Sequence, residues 1–351
     1  MAGSLKHRVI GAGLAAVART GADRWLAPIA RGLGAILMFH HVRPARPDPF
    51  RPNALLEITP EHLDRTLTLV GELGFEIVPL DAIPERLARG SGRRFVALTF
   101  DDGYRDNVEH ALPVLRRHGA PWTAFVTSDY ASGFGRLWWI ELEEVIRRSE
   151  RLVVERNGAI HELAAGSAAE KMTAFATAYG LLRAGPEEVL RDTIGRWCDA
   201  TGVSTAGLVR DLCLGWAELE RLATEPGVTI GAHTMSHPML AKHEDGSAWL
   251  EIEGGKVAIQ DRLGISVRHL AYPVGDPGSA GPREFRLAAE AGYATAVTTR
   301  PGHLFAEHAS EMTALPRVSV NGLYQTEDAL KALLSGVPFM VWNRGRRVNV
   351  A

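Results

Sequence analysis

The sequence predicts a parallel α/β fold, and three observations carry the prediction. Short apolar, β-branched runs recur at residues 35–42, 75–80, 95–100, 122–127, 228–232, 269–273, 295–299 and 317–320. Several are apolar almost throughout, as strands buried on both faces of a parallel sheet should be. Helical patterns separate them, and strand–helix alternation of this kind suits a parallel sheet, closed into a barrel or left open.

Taken in order, residues 1–34 form an N-terminal segment with two readings. Lys6, His7 and Arg8 precede an apolar run at 9–18, the outline of a signal peptide and of secretion. The run is short, rich in Gly and Ala, and passes straight into Arg19, Asp23 and Arg24. Leu5, Val9, Trp25, Leu26, Ile29 and Leu33 recur at roughly helical spacing, which favours a retained helical segment and a cytoplasmic protein. No segment is long and apolar enough for a transmembrane anchor. Residues 60–74 place Leu63, Leu67 and Val70 on one side of a helix, and 105–119 place Val108, Ala111, Leu112 and Leu115 likewise, with Gly119 as a stop. Residues 282–292 and 326–336 are further helices. The stretch 137–215 breaks the alternation with consecutive helical patterns, including 167–185 and 186–202, and reads as a helical insertion. The expected organisation is a main domain over 35–325 containing that insertion, then a C-terminal helix and tail over 326–351. The basic tail from Arg344 to Arg347 reads as a solvated terminus.

With 46% hydrophobic and 23% charged residues the chain has the composition of a folded soluble protein. Its 39 Lys and Arg nearly balance 41 Asp and Glu, which argues against a nucleic-acid partner. Cys198 and Cys213 belong to no CxxC pattern; a disulfide between them stays open.

The residues that can carry chemistry stand at the ends of predicted strands. In Leu98-Thr99-Phe100-Asp101-Asp102-Gly103-Tyr104, two adjacent carboxylates follow an apolar run. Two such groups in one small site repel, and a cation relieves the conflict if one binds it while the other stays free as a base. The structural alternative is an N-cap pair for the next helix. In His233-Thr234-Met235-Ser236-His237-Pro238, two histidines four apart can face one metal. Two imidazoles and a carboxylate leave a position open for water, as a hydrolytic metal requires, and zinc suits that donor set best, with cobalt or another divalent ion as the alternative. His40 and His41 end the run 35–42, and either could supply a proton near neutral pH. Arg268 and Arg317 could each orient a carboxylate. Tyr272 and Pro273 could line a sugar groove, although turn chemistry explains them equally well. Trp138 and Trp139 read as core of the insertion.

TFDDGY at 99–104 followed by HTMSHP at 233–238 resembles the polysaccharide deacetylase family, the NodB-homology carbohydrate esterases, over roughly residues 35–320. The resemblance implies a distorted (β/α)7 barrel and a metal-dependent hydrolase that removes N-acetyl groups from an amino-sugar oligomer or polysaccharide, with chitooligosaccharides as first substrate. It implies Asp101 as general base, Asp102, His233 and His237 as metal ligands, and the Tyr104 amide as an oxyanion donor. Tyr272 and Pro273 match the family's groove motif in part, without the arginine usual just ahead of that proline. A histidine is also missing from the last predicted strand. The Leu-Met-Phe-His segment resembles the order in permuted poly-N-acetylglucosamine deacetylases, which makes His40 the acid, His41 the alternative and His303 a distant third. The competing functions are action on a cyclic amide or an O-acetyl ester at the same site, and an inactive carbohydrate-binding homologue.

Overall fold

Seven parallel strands follow one another around a closed sheet: β1 (Gly34–Phe39), β2 (Phe95–Phe100), β3 (Trp122–Val126), β4 (Val228–Ala232), β5 (His269–Ala271), β6 (Thr295–Pro301) and β7 (Leu315–Ser319). The computed structural model describes residues 5–350, with side chains from His7 onward. Each strand pairs with its successor, and β7 returns to β1 through Leu37 opposite Val318. That last pairing makes the sheet a barrel. It is a distorted one: the register between β6 and β7 shifts between Val297 and Pro301. The run at 75–80 contributes only the short strand Glu76–Ile77, which pairs with the start of β2 while β3 takes its end.

Alternation along the strands sorts side chains into two layers. Leu37 and Phe39 of β1, Leu98 and Phe100 of β2 and Leu270 of β5 join the apolar layer beneath the outer helices. Ile36, Phe95, Ala97, Phe125, Ala271, Val297 and Leu315 make a separate apolar cluster inside the barrel. Two further steps along the inward face of β2 bring Thr99 and Asp101, and one along β7 brings Arg317. The interior therefore changes from apolar at the strands' N-terminal ends to polar at their C-terminal ends.

The outer helices form where the apolar spacing places them. Pro60–Glu72 starts at Thr59, whose hydroxyl accepts the His62 N–H, and buries Leu63, Leu67 and Val70. The helix expected over 105–119 begins instead as a wide π turn, Asn107–Ala111, and becomes an α-helix at Leu112–Arg117. Pro113 accounts for this: it has no N–H and its ring crowds the carbonyl four residues back, which a wider turn relieves.

Between β3 and β4 the insertion contains helices Trp138–Arg147, Ala168–Arg183, Glu187–Thr201 and Thr205–Leu212. It is not wholly helical. Arg151–Arg156 and Ala159–Ala164 form an antiparallel hairpin, with Leu152 and Val154 buried and their neighbours exposed. Asn157-Gly158, both at positive φ, make its two-residue turn, a pair strongly preferred in such turns. Cys198 and Cys213 are both buried and unbridged. Among the described residues no helix is long and apolar enough to cross a membrane.

Candidate active site

Asp101 follows β2 on its inward face and meets Arg317 of β7. The guanidinium grips both carboxylate oxygens, Nη1 to Oδ1 at 2.7 Å and Nη2 to Oδ2 at 2.6 Å. Two more of its five N–H groups are also used: Nε donates to the Thr298 carbonyl at 2.8 Å and Nη1 to the Thr99 hydroxyl at 3.1 Å. Thr99 in turn donates to the Leu37 carbonyl. Both charged groups are buried, and burial alone would raise the Asp101 pKa; the charge and hydrogen bonds of Arg317 outweigh it and hold the carboxyl below its ordinary value. The sequence left two arginines open for this role. Arg268 sits at the opposite end of the barrel and pairs with Asp81.

Asp102 leaves the strand at φ 70° and Gly103 follows at 61°, so the chain turns and the second carboxylate points elsewhere. Its Oδ1 lies 3.4 Å from His233 Nε2 and 3.3 Å from His237 Nε2. Burial opposes ionisation of Asp102, but the two imidazoles outweigh it and hold its pKa well below the usual carboxylate value. His233 Nδ1 contacts the Ala271 carbonyl at 2.6 Å, which assigns the proton to Nδ1 and leaves the Nε2 lone pair facing Asp102.

The loop carrying both histidines is strained and clamped. Thr234 and His237 have φ of 63° and 61°; with Asp102 and Val274, four of the six non-glycine residues described at positive φ lie here. Such backbone persists only where its surroundings over-determine it. Glu251 accepts the Met235 and Ser236 N–H groups at 3.0 and 2.8 Å and the Ser236 hydroxyl at 2.6 Å. Gly255 lets the Glu251 helix come this close, since a Cβ there would stand 2.5 Å from the Thr234 carbonyl carbon. From the insertion, Glu187 accepts the Met239 N–H at 2.6 Å and Arg191 donates to the His237 carbonyl at 3.0 Å. Glu187 also meets His243 Nε2 at 3.1 Å.

Asp102, His233 and His237 are all buried and offer one donor atom each, mutually within 4.8 Å. Metal–ligand bonds of about 2.0–2.1 Å in a tetrahedron put neighbouring ligand atoms roughly 3.3–3.4 Å apart. The two imidazole–carboxylate separations match that spacing, and Asp102 Oδ1 is buried with no hydrogen-bond partner among the described residues. This donor set fits a divalent metal.

His40 shares the inward face of β1 with Ile36, and its Nε2 stands 3.8 Å from Asp101 Oδ2. Burial lowers its pKa, against the pull of Asp101 and Asp102. His41 faces the other way: Nδ1 is 2.6 Å from Asp106 and the ring stacks on Tyr104 at 3.5 Å. His303 lies outside the site, between the carbonyls of Arg31 and Leu333. The Tyr104 side chain is buried and its hydroxyl accepts from Trp139. Its backbone pairs with Cys213 through flanking bonds, Arg105 N–H to Leu212 O and Leu214 N–H to Gly103 O, which leaves the Tyr104 N–H outside that ladder. Trp138 and Trp139 are core residues, the latter with its ring 4.8 Å from His237.

Tyr272 corrects an expectation. Alternation on β5 turns Ala271 inward and Tyr272 outward, so its ring is buried beneath the helices and its hydroxyl donates to the Thr313 carbonyl at 2.8 Å. It does not line the groove. Pro273 is buried at the strand end, where the Gly275 N–H closes a tight turn onto its carbonyl.

Residues 88–296, more than half the chain and spanning both motifs, match the sequence profile named polysaccharide deacetylase. The chain belongs to the polysaccharide deacetylase family. Membership implies a hydrolase that removes acetyl groups from an acetylated carbohydrate. Solved structures share the fold. The Streptococcus pyogenes deacetylase PplD in complex with acetate superposes with a TM-score of 0.55 at 17% identity, covering 82% of this chain and 92% of that one. IcaB from Ammonifex degensii gives 0.53 at 15% identity, covering 87% and 97%. The de-N-acetylase from Aggregatibacter actinomycetemcomitans gives 0.51 at 12% identity, covering 82% and 95%. No curated protein matches the sequence.

Proposed function

We propose that this deacetylase is a metal-dependent de-N-acetylase of an amino-sugar oligomer or polysaccharide, with zinc as the resident ion. One observation carries the reading: adjacent carboxylates face different partners, Asp101 a buried arginine and Asp102 two imidazoles. In this reading Asp102, His233 and His237 hold the metal, which polarises the acetyl carbonyl and acidifies water when bound. Arg317 keeps Asp101 ionised and fixed in position, and Asp101 removes the proton from the attacking water. The Tyr104 N–H donates to the developing oxyanion. His40, within 3.8 Å of Asp101, passes a proton to the departing nitrogen, which is otherwise a poor leaving group.

The test is acetate release from N-acetylglucosamine oligomers by metal-stripped protein, before and after adding zinc or cobalt, beside an O-acetyl ester and a cyclic amide. The expected result is metal-dependent release from the amide-linked sugar in excess of the other two. Preference for the ester or the cyclic amide would move the substrate class. Absence of turnover on all three, with sugar binding retained, would make the chain a binding homologue.

A further inference from the structure

Both ends of the described chain fold against the same side of the barrel. The N-terminal helix Leu5–Arg19 packs on Glu327–Ser335, with Leu14 against Ala329 and Ala332. Ala22–Trp25 and Ala27–Ala30 follow it and lead into the start of β1, while Val337–Trp342 packs on Ala27–Ala30. Gly336 allows that approach: at φ 76°, a Cβ there would stand 2.2 Å from the Ala30 carbonyl oxygen. These segments expose large apolar side chains that a helix normally buries. Trp25 is 67% and Trp342 54% exposed, and Val9, Ile29 and Val341 are also exposed.

Charge distinguishes the same segments. Of the 39 Lys and Arg residues, eight fall in 1–33 and 337–351: Lys6, Arg8, Arg19, Arg24, Arg31, Arg344, Arg346 and Arg347. Of the 41 Asp and Glu residues only Asp23 does, and it is buried. The rest of the chain is net acidic. Arg347 reaches Glu307 at 3.1 Å on the adjoining turn. Exposed tryptophans and aliphatics among arginines match an element lying in a membrane interface, where rings sit at headgroup depth and cations meet anionic lipid.

We propose that the terminal helices form a docking face for an anionic lipid surface. Ala27–Ala30 runs into the N-terminal end of β1, whereas Asp101, Asp102 and both histidine ligands follow the C-terminal ends of their strands. A docked molecule therefore turns its catalytic mouth away from the bilayer, toward a saccharide chain in solution. The docking face does not depend on which substrate the site takes.

The test is flotation of the full chain with vesicles of phosphatidylglycerol and phosphatidylcholine, against phosphatidylcholine alone, at low and high salt. Binding is expected on the anionic vesicles only, and weaker as salt rises. Arg344→Gln, Arg346→Gln and Arg347→Gln together should weaken it on the order of a hundredfold. Trp25→Ser with Trp342→Ser should weaken it too, and thermal unfolding midpoints near that of the wild type will show that both variants fold. Absence of flotation at low salt overturns the proposal, as does binding that neither variant changes. A wild-type dimer that the tryptophan variant dissociates, without vesicle binding, also overturns it and makes a second copy the occupant.

Discussion

Asp101 is held from inside the barrel, by Arg317 with Thr99 and Thr298 behind it, on β2, β6 and β7. The loop from His233 to Met239 is held from outside, by Glu187 and Arg191 of the insertion and Glu251 of the helix Asp245–Leu263. The two halves differ in what they demand. An ionised carboxylate inside a barrel needs a compensating charge, and here it comes across the interior from β7, with β1 lying between the two strands. A loop with two residues at positive φ needs its backbone donors and acceptors occupied, and it projects beyond the strands that could do so. The insertion thus does more than cover the barrel. It fixes the carbonyl of one proposed metal ligand.

Each half can be broken separately. Outside the two carboxylates, the largest effect is expected beside Asp101: His40→Gln should lower turnover about 10²–10⁴-fold while metal affinity stays near wild type. A loss of metal of similar size would place His40 in the ligand set instead. Arg317→Met strands a buried carboxylate and should lower the unfolding free energy by about 3–5 kcal/mol, read by denaturant titration. An unchanged midpoint would mean that Asp101 is neutral in the folded protein. Glu187→Ala and Glu251→Ala should each weaken metal binding about 10–100-fold in a chelator competition, with turnover at saturating metal little changed. If either lowered turnover at saturating metal as much as His40→Gln, the division into two halves would fail. The smallest effect is expected from Thr99→Val, about 1–2 kcal/mol of stability from the two hydrogen bonds of its hydroxyl, one accepted from Arg317 and one donated to the Leu37 carbonyl.

How much of this the sequence disclosed follows from how far apart the partners lie. Asp101, Asp102, His233 and His237 are legible because each pair is local and begins directly where an apolar run ends. Closure of the barrel is legible only through the family resemblance, since β1 and β7 lie at opposite ends of the domain and nothing in either strand names its partner. Arg317 could be reduced to one of two arginines; alternation from Leu315 would have turned it inward, as it turns Tyr272 outward. The hairpin at 151–164 had its signal in Asn157-Gly158, masked by the helical patterns on either side. Glu187, Arg191 and Glu251 carry no local mark. They lie on helices as ordinary charged residues and acquire their role only when those helices reach a loop whose strain the sequence does not show.

The most direct test of the account separates the two neighbouring carboxylates in one experiment: zinc titration and acetate release on Asp101→Asn and Asp102→Asn beside the wild type. The account predicts that Asp101→Asn binds one equivalent of zinc nearly as tightly as wild type and releases no acetate, whereas Asp102→Asn loses the metal. Acetate release by Asp101→Asn, or undiminished zinc binding by Asp102→Asn, would contradict it.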